Sequence, residues 1–305
     1  MLVFAVSDKG GTGRSVTGCN LAYHLAQERD VAYLDFDFGS PTAGAIFEIP
    51  NLDRGIARNK GLGLHSYIEG RTTAPNQVDI WRVSDRQDLR SRQSKAGRLV
   101  LFPGDQGGAE FSSQPDRVKR CADLFSKLDR EFEICVVDLS AGRSHAVQMA
   151  LRATALSALS SITARWLVFH RWTRQHIVAA AGLVYGDRGL LEVGEGAGHA
   201  RDPLLNSIRF VRTAVPDLDV DPGTTTTAQA SWLSTCNGEL KKLAERHKAG
   251  NSALLGETPM EPVLQWREQV ISDVDVSKEI ANPRTIEAFR DLAKRLMNPV
   301  VWEGL

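Results

Sequence analysis

The chain has 305 residues, of which 42% are hydrophobic, and its 37 Lys and Arg balance 37 Asp and Glu. That length suffices for one large α/β domain or two small ones with a full core. A formal charge of zero removes any bulk electrostatic argument for a nucleic acid or an anionic membrane, and leaves only local patches.

In chain order, the apolar run Leu2–Val6 predicts a strand, and the stretch Lys9-Gly10-Gly11-Thr12-Gly13-Arg14-Ser15 follows it directly. A helix is expected over Ser15–Glu28. Further strands are predicted at Val31–Phe36, Leu99–Phe102, Ile134–Leu139, Trp166–Phe169, Ile208–Val211 and Leu254–Gly256. Several are nearly continuous apolar runs, as strands covered on both faces require. Helical patterns lie at Asp116–Arg130, Ser144–Ser157, Thr173–Tyr185, Ala228–Lys248 and Thr285–Met297. The alternation predicts a single α/β domain over residues 1–305, a doubly wound, mainly parallel sheet with helices on both faces. Residues 186–203, with Gly186, Gly189, Gly194, Gly196 and Gly198, read as a mobile surface excursion; no strand leads into them, which argues against a second phosphate loop.

Strand, glycine-rich loop and helix in that order are what phosphate binding needs. Glycines let backbone N–H groups close around an anion, and a helix N-terminus adds a positive dipole end. The usual pattern G-x-x-x-x-G-K-[ST] is altered here, because Asp8 stands for the first Gly and Arg14 for the Lys. Two other polar segments leave strand ends: Leu34-Asp35-Phe36-Asp37-Phe38-Gly39 and Val137-Asp138-Leu139-Ser140-Ala141-Gly142. A Mg²⁺·ATP site needs carboxylates near the metal and a group to orient water, and Asp35, Asp37 and Asp138 can supply these if their strands are neighbours.

These three segments together resemble the ParA/MinD ATPases, whose deviant Walker A loop reads [KR]-G-G-x-G-K-[ST]. The second segment is similar to the family's second motif, above all in the MinD branch, and the third to its switch II. Leu101-Phe102-Pro103-Gly104 and the final helix extend the likeness more weakly along the chain. The resemblance implies a P-loop NTPase fold, with ATP and Mg²⁺ as ligands. It puts Gly10, Gly11, Thr12, Gly13, Arg14, Ser15 and Val16 around the phosphates. Ser15, Asp35 and Asp138 would belong to the Mg²⁺ shell, Asp37 would position the water, and Lys9 would reach a partner's nucleotide across a homodimer. Arg14 departs from the family. Guanidinium is a planar fork where lysine offers a compact charge, so nucleotide binding is expected to persist while hydrolysis is weak or absent. The expected function is a nucleotide-dependent switch of dimerisation or partner binding, the alternative a degenerate, non-hydrolysing sensor or scaffold.

The remaining signals are weaker. Cys19, Cys121, Cys135 and Cys236 are scattered, with no C-x-x-C, and read as reduced thiols that leave no place for a bridging iron–sulfur cluster. The seven histidines lack metal-ligand spacing. Arg143 and His145 read as surface residues at a helix start, with sensing of the nucleotide state the less favoured use. The run Arg82, Arg86, Arg90, Arg92, Lys95 and Arg98 reads as a solvated loop, with non-specific DNA contact or an acidic partner the less favoured use. The apolar stripe Ile286, Phe289, Leu292, Ala293 and Leu296 is expected to pack on the sheet and not to bind a membrane. The first apolar run is too short for a signal peptide, and no segment approaches the ~20 apolar residues of a membrane span. A cytoplasmic location is expected.

Overall fold

The computed structural model describes residues 1–91, 95–217 and 226–303; Arg92 of the basic run lies outside them. Eight strands form one sheet: β1 Leu2–Val6, β2 Val31–Phe36, β3 Val78–Asp79, β4 Leu99–Phe102, β5 Ile134–Leu139, β6 Ala164–Arg171, β7 Ile208–Val215 and β8 Leu254–Pro259. Their order is β3-β4-β2-β5-β1-β6-β7-β8. All neighbouring pairs are parallel except β3 with β4. The fold is therefore α/β and mainly parallel, as the strand–helix alternation implied.

Alternation of side chains sends Leu2, Phe4 and Val6 into one core and Val3 and Ala5 into the other. Helices cover both faces, which is why these strands read as unbroken apolar runs. The helix Pro283–Met297 buries Ile286, Phe289, Leu292, Ala293 and Leu296, and it packs on β8 and on the helix Arg14–Leu25. The stripe is thus part of the second core. No helix among the described residues is long and apolar enough to cross a membrane.

Residues 186–203 correct one expectation. They carry the helix Leu190–Ala197 and the start of the helix Arg201–Asn206, and Leu190, Leu191 and Leu204 are buried. The glycines mislead because one of them serves packing: a Cβ on Gly194 would meet the Leu204 side chain at 2.2 Å. The basic run is not a solvated loop throughout. Arg86 is held by Asp88 and Asp275, and Arg98 pairs with Asp30 and Glu131.

Candidate functional site

β2, β5 and β1 lie side by side, so the three polar segments leave the same edge of the sheet at adjacent carboxyl ends. In an open α/β sheet that crevice is where ligands bind. Register places Asp35 directly opposite Asp138. The loop after β1 turns into the helix Arg14–Leu25 through Gly11 (φ 70°) and Gly13 (φ 73°), a left-handed backbone that suits glycine. Gly13 is the helix N-cap and no side chain caps the first turn. The leading N–H groups therefore stay available to an anion. Beside the loop lies a cavity of about 240 Å³, lined by Gly11, Thr12, Gly13, Val16 and Thr17 on one side and by Glu261 and Gln265 on the other. Thr213 fixes the loop by donating its hydroxyl to the Thr12 carbonyl at 2.6 Å.

Arg14 is the hub of the site. Its Nε donates to Asp138 Oδ1 at 2.5 Å and its Nη2 to Asp37 Oδ2 at 2.7 Å. Longer contacts reach Ser15 Oγ at 3.3 Å and Ser7 Oγ at 3.4 Å. Burial works against the guanidinium charge, but Asp138 and Asp37 outweigh it and hold Arg14 above the usual arginine range. Asp138 has its other oxygen occupied by the Tyr33 hydroxyl at 3.1 Å. Burial pushes its carboxyl up, against the pull of Arg14. Asp35 is pushed well up by burial and by the neighbouring Asp138. Its Oδ2 accepts from the Ala43 N–H at 3.0 Å, while its Oδ1 is buried with no partner.

The structure thus brings Arg14, Ser15, Asp37 and Asp138 together, with Asp35 behind Asp138. Lys9 stands apart, exposed on the loop. Four contributors have little or no sequence signal. Ser140 ties two segments together, accepting from the Phe38 N–H at 3.0 Å and donating to the Phe36 carbonyl at 3.3 Å. Tyr33 and Thr213 are ordinary strand residues by pattern. Arg143 lies exposed at the start of the helix His145–Thr154, as read, and in addition bridges Asp8 at 2.8 Å to the Gly182 and Asp187 carbonyls. Beside it, the Gly142 N–H donates to the Ser7 carbonyl at 2.7 Å.

No group of three His, Cys, Asp or Glu side chains among the described residues could cage a metal. The donor set nevertheless suits Mg²⁺, which takes hard oxygens and usually only one or two carboxylates beside water and phosphate. The Ser15 hydroxyl and the Asp138 carboxylate are such donors. The orphaned Asp35 oxygen is a buried acceptor that a metal-bound water could satisfy.

No protein-family model and no curated protein matches the sequence. Solved structures do match over nearly the whole chain. MinD in the MinC:MinD cell division complex of Aquifex aeolicus aligns with a TM-score of 0.60 at 16% identity, covering 97% of this chain and 95% of that one. MinD of Pyrococcus horikoshii OT3 complexed with Mg-ADP gives 0.52 at 15% identity, over 98% and 96%. A ParA family ATPase from Chlorobium tepidum TLS gives 0.53 at 16%, over 96% and 98%. Strand order, the loop at the end of β1 and these alignments agree: the chain has the fold of the MinD and ParA-family ATPases.

Proposed function

We propose that this chain is a ParA/MinD-like nucleotide switch of the cytoplasm, which binds ATP over Lys9–Ser15 and thereby changes its dimerisation or its hold on a protein partner. The observation that carries the reading is convergence. An uncapped helix start behind two left-handed glycines meets Arg14, Ser15, Asp37 and Asp138 at the carboxyl ends of three neighbouring strands. Backbone N–H groups from Gly10 to Val16 and the Arg14 fork would hold the phosphates. Ser15 and Asp138 would hold Mg²⁺, with Asp35 behind them. When bound, the metal supplies positive charge against the phosphate oxygens. The neighbouring MinD bound to Mg-ADP supports this assignment by its fold. Lys9, exposed at the loop, is available to a second protomer.

Hydrolysis is slow or absent in this reading. A single contact misplaced by about 1 Å can cost ~10²-fold in phosphoryl transfer, and the Arg14 guanidinium is held by two carboxylates. That double pairing also supports the second reading, a non-hydrolysing sensor or scaffold, and measured ATP turnover separates the two. DNA contact is not favoured, since Arg86 and Arg98 are engaged in ion pairs within the chain. The test is a calorimetric titration with ATP and Mg²⁺. Binding that weakens in Ser15→Ala is expected, and no binding of any nucleoside triphosphate would overturn the reading.

A further inference from the structure

Arg14 has one guanidinium and two competing employments. A phosphate in the loop needs it, and Asp37 and Asp138 already hold it through different edges of the fork, Nη2 and Nε. Lysine, a single point charge, has no such second edge, whereas the planar fork can grip two carboxylates at once. The third nitrogen, Nη1, has only the 3.4 Å contact to Ser7 Oγ. Charge makes the two uses antagonistic: one guanidinium between two carboxylates leaves the trio negative, and a negative trio repels a polyphosphate.

The two carboxylates are not equivalent. Asp138 sits within β5 with its side chain 1% exposed. Asp37 lies just beyond β2 with its side chain 19% exposed, and it leads into Gly39 and Ser40, both exposed. Asp37 is therefore the partner that can let go, and the exposed Gly39 and Ser40 beyond the anchored Phe38 are the part of its segment with room to respond.

We infer that Arg14 is a latch: Asp37 holds it away from the phosphate position, so that Asp37 opposes nucleotide binding and binding frees the segment 37–42. The inference rests on the nucleotide reading above and adds its regulation. Asp37 then has a role before any water is attacked, as the group that sets the resting state. The arrangement also gives a physical route from loop to surface, because the pair Arg14–Asp37 joins the phosphate loop to the exposed residues 39–40.

The test is calorimetric titration of Mg²⁺·ADP into wild type, Asp37→Asn, Arg14→Ala and the double variant. Asp37→Asn should bind ADP about fivefold more tightly, the scale expected for losing one partly exposed ion pair that competes with the ligand. In the Arg14→Ala background the same change should have no such effect. Equal tightening in both backgrounds overturns the latch and assigns the effect to direct repulsion between Asp37 and phosphate. Unchanged or weaker binding by Asp37→Asn overturns it outright. Should Arg14→Ala fail to fold, hydrogen exchange decides. ADP should speed exchange in residues 37–42 of wild type, and Asp37→Asn should show that faster exchange without ADP; an unchanged rate on adding ADP overturns the latch. Failure of both wild type and Asp37→Asn to bind ADP overturns the nucleotide reading and the latch with it, whereas binding without the Asp37 effect overturns the latch alone.

Discussion

Arg14 concentrates the chemistry of this chain in one side chain. Its ion pair with Asp138 is buried, and removing either partner of such a pair typically costs about 3–5 kcal/mol, because the other charge is left uncompensated. Arg14→Lys avoids that cost by keeping a cation, while replacing the fork by a point charge. If the geometry of the guanidinium is what limits phosphoryl transfer, Arg14→Lys should raise ATP turnover by about 10-fold or more and change nucleotide affinity little. Asp37→Ala should abolish whatever turnover exists, since in the proposed reading it removes the carboxylate assigned to orient water. Steady-state phosphate release measured beside calorimetric affinity checks both. Rapid wild-type turnover left unchanged by Arg14→Lys would show that the arginine is fully competent, and the slow-hydrolysis reading would fall.

At the scale of elements, the helix pair within 190–206 offers the sharpest contrast between pattern and structure. Leu191 is 2% exposed, so Leu191→Ala should destabilise the fold by roughly 2–5 kcal/mol. A side chain on a mobile excursion would show almost no change, and urea unfolding of the two proteins distinguishes the cases. The misreading has a cause: two short helices give too few turns for a periodic signal, and glycine there permits close packing and a left-handed end at Gly198 (φ 109°) as well as flexibility. β1, β2, β4 and β5 were legible to the residue because burial on both faces leaves unbroken apolar runs. β6 and β7 run further than expected, through His170, Arg171, Arg212 and Thr213, since polar side chains are tolerated where strands end beside the ligand crevice. β3, two residues long at the edge, has no run to read. The acidic and glycine residues of the site were legible by spacing after strands. Their mutual pairing was not, because Arg14 and Asp138 are 124 positions apart and meet only through the β5-β1 pairing.

Two predictions belong to the whole molecule. One is sensitivity to acid. Burial drives His24 down to about 3 and His170 down to about 4, from an ordinary value of 6.5. Below pH 6.5 the unfolded chain binds protons that the folded chain refuses, so their contribution to stability falls as pH drops from 6.5 toward those folded values, by at most about 1.4 kcal/mol per pH unit for each histidine. Asp35, raised in the fold, acts with the opposite sign and adds stability as pH falls toward the usual carboxylate range. Because the two trends overlap, the informative quantity is a difference: urea unfolding of wild type minus His24→Gln should shrink between pH 6.5 and 4, with no matching change above pH 7. The other is the proposed assembly. Lys9 is exposed on the loop, whereas Arg14, five residues on, is already committed inside the chain. A second cation at the phosphates can thus come from another copy, and a γ-phosphate would give that copy's lysine a charge to reach. A slowly hydrolysed ATP analogue, but not ADP, should therefore raise the mass seen by light scattering toward that of a dimer, and Lys9→Ala should abolish the rise while leaving analogue affinity for the monomer nearly intact. Equal masses for wild type and Lys9→Ala under every nucleotide would remove the lysine from the interface, and the absence of any rise in wild type would remove the ATP-dependent dimer.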